Sequence, residues 1–326
     1  MDVLSEVLRS LRVNSSIYCA MDLGAPWGIS FRESIWAPFH YVDSGSCWLL
    51  TQTGKRVRLE AGSLVVLFGC EAHRLCDAPG GKPDPLERVL ELRNKEGNVD
   101  AYGGDGAHTR IICGKFGWDE HEGPPASFRH LPQLLQVHRD SWPQFGSFWA
   151  TLRLLAGEVQ SPQPGSELAR RFLTQLLLIH VFRVVLNARR IPATGWLQAL
   201  RDPPVATALA AIHDKPENPR SLEALAATAG LSRSVFAARF RARLGETPMA
   251  YVGRWRLRVA ARWLRETELS VSEILQRLGY ASAAAFNRAF KRTYRMAPSE
   301  YRHRLSAAEP KSRLSIRETM PASSGK

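Results

Sequence analysis

The chain has 326 residues, a length that favours two domains because single hydrophobic cores seldom grow much beyond about 250 residues. Its net charge of +13 is high for an ordinary metabolic enzyme and indicates a polyanionic partner. The five cysteines include no C-x-x-C pair, which fits neither a zinc cluster nor a disulfide framework, so we expect a reducing, cytoplasmic setting.

The positive charge is concentrated in one part of the chain. Residues 1–200 hold 21 Lys and Arg against 20 Asp and Glu, whereas residues 201–305 hold 19 against 9 and residues 306–326 hold 4 against 2. A basic surface kept only for solubility would spread its arginines evenly. The distribution therefore predicts a nearly neutral half joined to a strongly basic, nucleic-acid-binding half.

The first 120 residues show the pattern of strands and turns. The N-terminus is amphipathic and charged, unlike a signal peptide. Alternation around Val57 and Leu59, a turn at residues 60–62 and the apolar run 64–68 predict a hairpin-rich sandwich or barrel, with a further strand at 109–118. The Gly-, Pro- and Asp-rich stretch between Cys76 and Gly106 predicts a long surface loop.

Helical periodicity begins at Trp142. Two helices are predicted up to Asn187, separated by residues 161–166. The apolar stretch Phe172–Leu186 is too short and too polar to span a bilayer, so we interpret it as a buried or dimer-forming helix. A linker at 187–196, helices from 203 to about 304 and a disordered tail beyond Ser306 complete the chain.

A capped helix pair occurs twice in the basic half. Residues 221–240 align with residues 270–290: Ser221 matches Ser270, Gly230 matches Gly279, and Phe240 matches Phe290. Each unit has a serine that can cap a helix, a glycine that can end it in a left-handed conformation, and a second capping serine. This order predicts two helix-turn-helix units, whose second helix enters the major groove in DNA-binding proteins.

The second helices have a face of small, polar and cationic residues opposite their phenylalanines. At about 100° per residue, Ser234, Ala238 and Arg241 lie opposite Phe236. In the second unit Ala284, Arg288 and Lys291 lie opposite Phe286, with Asn287 beside them. Small residues permit close approach to bases, arginine can bind guanine and asparagine adenine. The alternative for these residues is an ordinary solvated surface.

Arginines further along these helices suggest phosphate contacts. Arg241, Arg243, Lys291 and Arg292 lie near the helix ends and are predicted to meet phosphates, whereas Arg239 is turned toward the phenylalanine side and could be structural. A long helix after Pro248, about 24 Å in length, joins the two units. Its strip of Arg254, Arg258, Arg262 and Arg265 faces either phosphate or solvent.

The region 203–304 resembles the DNA-binding domain of the AraC/XylS family of bacterial transcription regulators. The resemblance rests on L-S-x-S-x-F-x-x-x-F at 231–240, G-E-T-P-x-x-Y at 245–251, I-x-x-x-x-G-Y-x-S-x-x-x-F-x-R-x-F-K at 274–291 and A-P-S-E-Y-R at 297–302. It implies that the second helix of each unit reads DNA, through Ser234, Ala237, Ala238, Ala283, Ala284, Asn287 and Arg288. Many members have arginine where this chain has Ala238, so looser reading or reading by DNA shape is expected in the first unit.

The N-terminal half resembles the cupin-type effector domain of one branch of that family, through APWGISF at 25–31, VRLEAGSLVVL at 57–67 and ICGKFGWD at 112–119. Metal-binding cupins have an H-x-H pair, but Val42 interrupts it here and leaves His40 and His73 as isolated candidates. Core or pocket histidines are the favoured interpretation over metal ligands. Trp27, His40, Trp48 and His73, with Trp36, could line a small-molecule pocket, and Cys70 with Cys76 could form a redox pair.

The sequence therefore predicts an α+β chain of two domains, with an N-terminal cupin-like β-barrel followed by helices and a C-terminal all-α domain of two helix-turn-helix subdomains joined by a long helix. We expect residues 1–190 to sense an effector and dimerise, residues 191–202 to link, residues 203–304 to bind DNA through units at 221–243 and 270–292, and residues 305–326 to be disordered. The DNA-contact set is Ser232, Arg233, Ser234, Ala237, Ala238, Arg241, Ser282, Ala283, Ala284, Asn287, Arg288, Lys291 and Arg292.

The predicted function is sequence-specific regulation of transcription, with double-stranded promoter DNA, an unknown small-molecule effector, RNA polymerase and a second copy of the chain as partners. No enzyme activity, cofactor or metal is expected. Two alternatives stay open: a cupin enzyme fused to a DNA-binding module, which requires a complete metal triad, and an architectural nucleic-acid binder without sequence preference.

Overall fold

The computed structural model describes residues 4–5, 14–117, 131–142, 144–187, 195–214, 221–280 and 282–308. It divides into two compact units, one of residues 11–197 and another that begins at Gln198. Most of the predicted N-terminal amphipathic segment, residues 188–194 of the predicted linker and the chain beyond residue 308 lie outside the described residues. The tail was predicted to be disordered from residue 305, but its described part belongs to a helix that ends at Ala308.

The first unit contains a sheet of six strands. Along the sheet the order is β11-β6-β3-β10-β1-β9, and β1 pairs antiparallel with β10 while β10 pairs antiparallel with β3. The strands are β1 (Asn14–Gly24), β3 (Ala37–Ser44), β6 (Ser63–Leu67), β9 (Val99–Gly103), β10 (His108–Gly117) and β11 (Leu134–His138).

A second sheet of five strands faces the first. Its order is β5-β4-β7-β2-β8, with antiparallel pairing of β4 to both β5 and β7. The strands are β2 (Gly28–Phe31), β4 (Ser46–Thr51), β5 (Arg56–Glu60), β7 (His73–Cys76) and β8 (Asp84–Pro85). Strand β5 alternates exposed and buried residues, the pattern expected of a sheet with one face in a core.

The core of the first unit lies between the two sheets. Met21 and Ile111 from the larger sheet and Leu49 and Leu75 from the smaller one are fully buried in the same cluster. The two sheets do not close on each other in the described residues, so the unit is a double sheet of jelly-roll type. This is the cupin-like architecture predicted from the sequence.

The predicted long loop between Cys76 and Gly106 is wrong in part, because this stretch contains regular elements. It holds β8, a short helix α1 (Leu86–Leu90) and β9, and β9 pairs in parallel with β1. A strand β11 that was not predicted pairs antiparallel with β6. Both β9 and β11 depend on partners distant in sequence, which local composition does not reveal.

Two long helices follow the sheets, as predicted. They are α2 (Gly146–Gln160) and α3 (Ser166–Asn187), and they pack on each other. Asn98 fixes the end of α2 to the sheet: its side chain donates to the Val159 carbonyl at 2.8 Å and accepts from the Ala20 N–H at 3.1 Å. Among the described helices, none combines the length and apolar character that crossing a membrane requires.

The second unit is helical throughout its described residues. A short helix α4 (Trp196–Leu200) crosses the boundary between the units and occupies part of the predicted linker. The remaining helices are α5 (Pro203–Asp214), α6 (Leu222–Thr228), α7 (Arg233–Leu244), α8 (Pro248–Glu266), α9 (Val271–Arg277), α10 (Ala283–Tyr294) and α11 (Pro298–Ala308).

Helix α8 lies between the two predicted units in the chain and packs on α5 through its buried aromatic side chains. Trp255 stacks on His213 of α5 with ring centroids 3.9 Å apart, and the Tyr251 hydroxyl lies 2.9 Å from Nε2 of that histidine. Burial lowers the pKa of His213 to about 3, so its ring is neutral and packs as a core residue. At 19 residues, α8 is about 28 Å long, slightly longer than predicted.

Candidate nucleic-acid interface

The first helix-turn-helix unit consists of α6 and α7. The Ser221 hydroxyl accepts the Ala224 N–H at 3.2 Å and so caps α6, and the Ser232 hydroxyl accepts the Val235 N–H to cap α7. Gly230 between the two helices has φ of +67°, a left-handed conformation that a Cβ disfavours. These local contacts produce the tight turn that the sequence predicted.

The second unit, α9 and α10, repeats this construction. Ser270 and Glu273 form a capping box, in which the Ser270 hydroxyl accepts the Glu273 N–H and the Glu273 carboxylate accepts the Ser270 N–H. Gly279 has φ of +68°, and the Ser282 hydroxyl caps α10 by accepting the Ala285 N–H at 3.2 Å. The two units are therefore built by the same residue types at matching positions.

The phenylalanines orient the second helix of each unit. Phe236 and Phe240 of α7 and Phe286 and Phe290 of α10 are fully buried, and the two rings of each pair contact each other. The predicted contact residues lie on the other sides: all are exposed except Ala237, which is half-buried. The exposed set comprises Ser232, Arg233, Ser234, Ala238, Arg241, Ser282, Ala283, Ala284, Asn287, Arg288, Lys291 and Arg292.

Most arginines of α7 are held by carboxylates. Arg233 donates to Glu223 of α6 at 2.6 Å, and Arg239 and Arg243 both donate to Asp202 at 2.9 Å. Arg241 alone among the four α7 arginines makes no ion pair with a described residue. Arg243, predicted to contact phosphate, makes an internal ion pair in this structure, and its phosphate contact stays a prediction; Arg239 is structural, the option that the sequence left open.

Asp202, which sequence reasoning missed, is the carboxylate at the centre of this pairing. Its side chain is only 3% exposed and lies just before α5. Burial acts to raise the pKa of this carboxyl, but hydrogen bonds from Arg239 and Arg243 outweigh it, so the pKa is lowered overall. Asp202 thereby fixes one flank of α7 to the start of the unit.

The cations of α10, unlike most arginines of α7, have no carboxylate partner among the described residues. Arg288, Lys291 and Arg292 are exposed and make no ion pair with any residue that the structure describes. On α8, Arg254 binds Glu246 and Arg265 binds the Tyr301 hydroxyl, so two members of the predicted arginine strip have partners within the protein. Within the described residues, helix α10 therefore has more cations without an ion-pair partner than helix α7.

The predicted isolated histidines of the first unit contact each other. The two Nε2 atoms of His40 and His73 lie 2.8 Å apart, and Nδ1 of His40 lies 3.0 Å from Sγ of Cys113. Burial pushes the pKa of His40 well below its ordinary value and lowers that of His73 to about 4, so both rings are neutral. In the described residues no group of three or more His, Cys, Asp or Glu side chains is arranged to hold a metal ion.

The two described cavities divide the predicted pocket residues between them and leave the others outside both. Trp27 lines a cavity of about 890 Å³ and His73 a separate cavity of about 570 Å³, while His40 and Trp48 line neither. His40 is fully buried between the sheets, and Trp48 is half-buried. Lys115 lies over the ring of Trp36, 3.2 Å from its centroid.

The two candidate redox cysteines are thiols in this structure. Cys70 and Cys76 are both free. Burial raises the pKa of Cys70 to about 11 and also raises that of Cys76. Since the thiolate is the reactive form, neither side chain is activated for exchange.

Comparison with known proteins agrees with this arrangement. Residues 2–187 match the cupin family model and residues 225–304 match a helix-turn-helix domain model. A putative AraC-like transcription regulator of Streptomyces lividans is 31% identical over 303 residues, which cover 93% of this chain and 98% of the relative. This chain belongs to the AraC family of transcription regulators.

Two further proteins are similar to this AraC-family regulator. The HTH-type transcriptional regulator AlkR of Acinetobacter baylyi is 30% identical over 312 residues, covering 93% of this chain and 99% of AlkR. A crystal structure of the DNA-binding domain of AdpA, a global transcriptional factor, in complex with a target DNA is 31% identical, covers 34% of this chain and 98% of that chain, and has a TM-score of 0.32. The predicted function, DNA binding in the regulation of transcription, is confirmed for the family of this chain.

Proposed function

We propose that the regulator places α7 and α10 in adjacent segments of the major groove of promoter DNA. Base contacts come from the exposed faces of both helices, and Arg241, Lys291 and Arg292 contact phosphates. The observation that carries this proposal is the burial of paired phenylalanines on each helix, which turns the small and cationic residues outward. Ser232, Arg233 and Ser282 lie at the helix starts, where DNA-reading helices contact base edges.

The two helices contribute unequally in this proposal. Arg241 of α7 is unpaired within the described residues, against Arg288, Lys291 and Arg292 of α10. For each phosphate that a cation neutralises, the slope of log affinity against log salt concentration becomes more negative by about 0.9. Helix α10 therefore supplies most of the electrostatic affinity, and α7 supplies close approach and shape reading through Ser234, Ala237 and Ala238.

The experiment is a competition of operator against random DNA at fixed salt, with single substitutions in α10. Arg288→Ala should cost roughly 1–3 kcal/mol on the operator and relax selectivity at one base pair, because a bidentate arginine contact is lost. Arg292→Ala should weaken operator and random DNA alike. Arg153→Ala, an exposed arginine of α2, is the charge-matched control and should change neither. Equal losses on operator and random DNA for both α10 variants would contradict the assigned roles.

For the chain as a whole we propose that residues 1–190 sense an effector and residues 203–304 bind DNA in the cytoplasm, with residues 191–202 as the connection. Both ring nitrogens of His40 and both of His73 contact other protein groups. This supports a sensing role for the first unit rather than catalysis. Contact with RNA polymerase stays a prediction of the family resemblance.

We also propose that α3 forms the contact with a second copy of the chain. Leu168, Phe172 and Leu176 recur every four residues and are 53%, 58% and 39% exposed, an apolar strip on a helix of 22 residues. A two-fold axis brings the same strip of both copies together, so like side chains pack on like side chains. Sedimentation equilibrium of the full chain, with Phe172→Gln as the variant, tests this contact.

A further inference from the structure

The smaller of the two described cavities in the first unit is lined by residues that are more positively charged than the unit as a whole. Its volume of about 570 Å³ lies within the range of about 300–1,000 Å³ that small-molecule sites occupy. Strands β2, β4 and β7 and the turn between β4 and β5 form it. Arg56, Leu50, Arg74 and Ser30 lie opposite one another in one row across four strands. Because directly paired residues point to the same face of a sheet, Arg56 and Arg74 flank Leu50 on that face.

The charge of the lining is positive without a carboxylate. Arg32, Lys55, Arg56 and Arg74 all line the cavity, and none of its lining residues is Asp or Glu. Lys55, Arg56 and Arg74 make no ion pair with a described residue, and Arg32 lies 3.5 Å from an exposed Glu87, a pair that solvent screens. Residues 1–200 have an excess of only one positive charge. Four cations around one cavity are therefore a local concentration rather than a property of the whole unit.

The buried residues next to this row in the same strands point to the opposite face of the sheet. Phe31 and His73 are both buried and stack with ring centroids 4.7 Å apart and an interplanar angle of 5°. Both ring nitrogens of His73 are engaged, one by His40 and one by the Glu71 carbonyl. Phe31 and His73 therefore belong to the core, and Leu50 is the apolar residue on the face that carries Arg56 and Arg74.

We propose that this cavity binds a small organic oxyanion, a molecule with phosphate or carboxylate groups for Arg56, Arg74 and Lys55 and an apolar part that packs on Leu50. Arginine forks match both oxyanions bidentately, and a lysine adds a third positive charge. The larger of the two described cavities is less suited to such a ligand, since three aspartates line it against one lysine, Lys82. As the effector site of the regulator, the assignment rests on the proposed function of the first unit.

Isothermal titration of the full-length protein without DNA tests the binding site directly, with inorganic pyrophosphate and citrate as probes. We expect saturable binding of at least one probe below 10 mM. The double variant Arg56→Gln/Arg74→Gln should weaken it by a factor of about 30 or more, because two charge-assisted hydrogen bonds are lost. The matched control Arg153→Gln/Arg171→Gln removes two exposed arginines of α2 and α3 and should stay within twofold of the unmodified protein.

Several results overturn the proposal. Absence of saturable binding of both probes up to 10 mM does so, as does an equal loss in the double variant and its control. A third arm uses random-sequence duplex DNA: if Arg56→Gln/Arg74→Gln weakens DNA binding more than twofold, the cavity serves DNA phosphates instead of a small ligand. Since the probe titration contains no DNA, its failure is distinct from a failure of DNA binding.

A separate measurement tests whether the bound molecule acts as an effector. The affinity of the full chain for operator DNA is compared with and without 10 mM of whichever probe binds, at constant ionic strength. We expect a change of threefold or more in the unmodified protein and none in the double variant. Binding of the probe without any change in operator affinity contradicts the effector role.

Discussion

Replacement of Asp202 by asparagine removes the charge that holds one flank of α7 while keeping the shape of the side chain. The carboxylate is 3% exposed, whereas its partners Arg239 and Arg243 are 41% and 42% exposed. Loss of one partner of a fully buried ion pair costs about 3–5 kcal/mol, because the other charge is left without compensation. Here both arginines can turn toward water. We therefore expect a smaller loss of unfolding free energy, about 1–3 kcal/mol, from two weakened charge-assisted hydrogen bonds.

Urea unfolding of the full chain, followed by circular dichroism, measures this difference. Glu223→Gln is the matched control, since its pair with Arg233 is 56% and 66% exposed and an exposed pair contributes about 0–1 kcal/mol. A loss below 0.5 kcal/mol for Asp202→Asn, or an equal loss for Glu223→Gln, refutes the reasoning.

The pH dependence of the unfolding free energy, compared between the unmodified protein and Asp202→Asn, gives a second test. The folded pKa of Asp202 is lowered, so its contribution is complete above the ordinary aspartate pKa of about 4 and is lost as pH falls through the lowered value. The difference between the unmodified protein and Asp202→Asn should therefore be constant from pH 5 to 8 and shrink below about pH 4. A difference that persists unchanged in strong acid contradicts an ionic cause.

The remaining predictions concern core, histidines and self-association. Phe286→Ala should destabilise the second helix-turn-helix unit by about 3–5 kcal/mol, measured by urea unfolding, because a fully buried ring leaves a cavity. His73, with a pKa lowered to about 4, binds a proton on unfolding, so the unfolding free energy should fall by up to about 1.4 kcal/mol per pH unit from pH 6.5 to 4; a flat profile refutes this. Phe172→Gln should weaken any dimer at least tenfold in sedimentation, and unchanged association contradicts the α3 contact.

The helix-turn-helix units were predictable from sequence because their signals are local. Ser221 and Ser270 cap helices through backbone groups three residues away, and Gly230 and Gly279 mark turns that need a left-handed residue. Burial of the phenylalanine face follows from helical periodicity alone. The orientation of the DNA-facing residues could therefore be derived without knowledge of their tertiary partners.

What could not be predicted depends on long-range pairing. Asp202 is separated from Arg243 by 41 positions and His40 from His73 by 33. Strand β9 pairs with β1, about 78 residues earlier at Val99 and Met21, inside a stretch whose composition resembles a loop. Helical periodicity fixes which way Arg243 points but not which carboxylate reaches it. The phosphate contact predicted for that arginine stays a prediction.

The unequal charge of α7 and α10 has a consequence for the genome that carries the binding sites. Where three uncompensated cations grip one half of an operator, the other half can accumulate base changes while occupancy is still retained. An alignment of natural operators should then be lopsided, with high information content where Asn287 and Arg288 are proposed to contact bases and low content under α7. New promoters would come under control mainly by acquiring the α10 half-site, which makes that helix the main determinant of how the regulon grows.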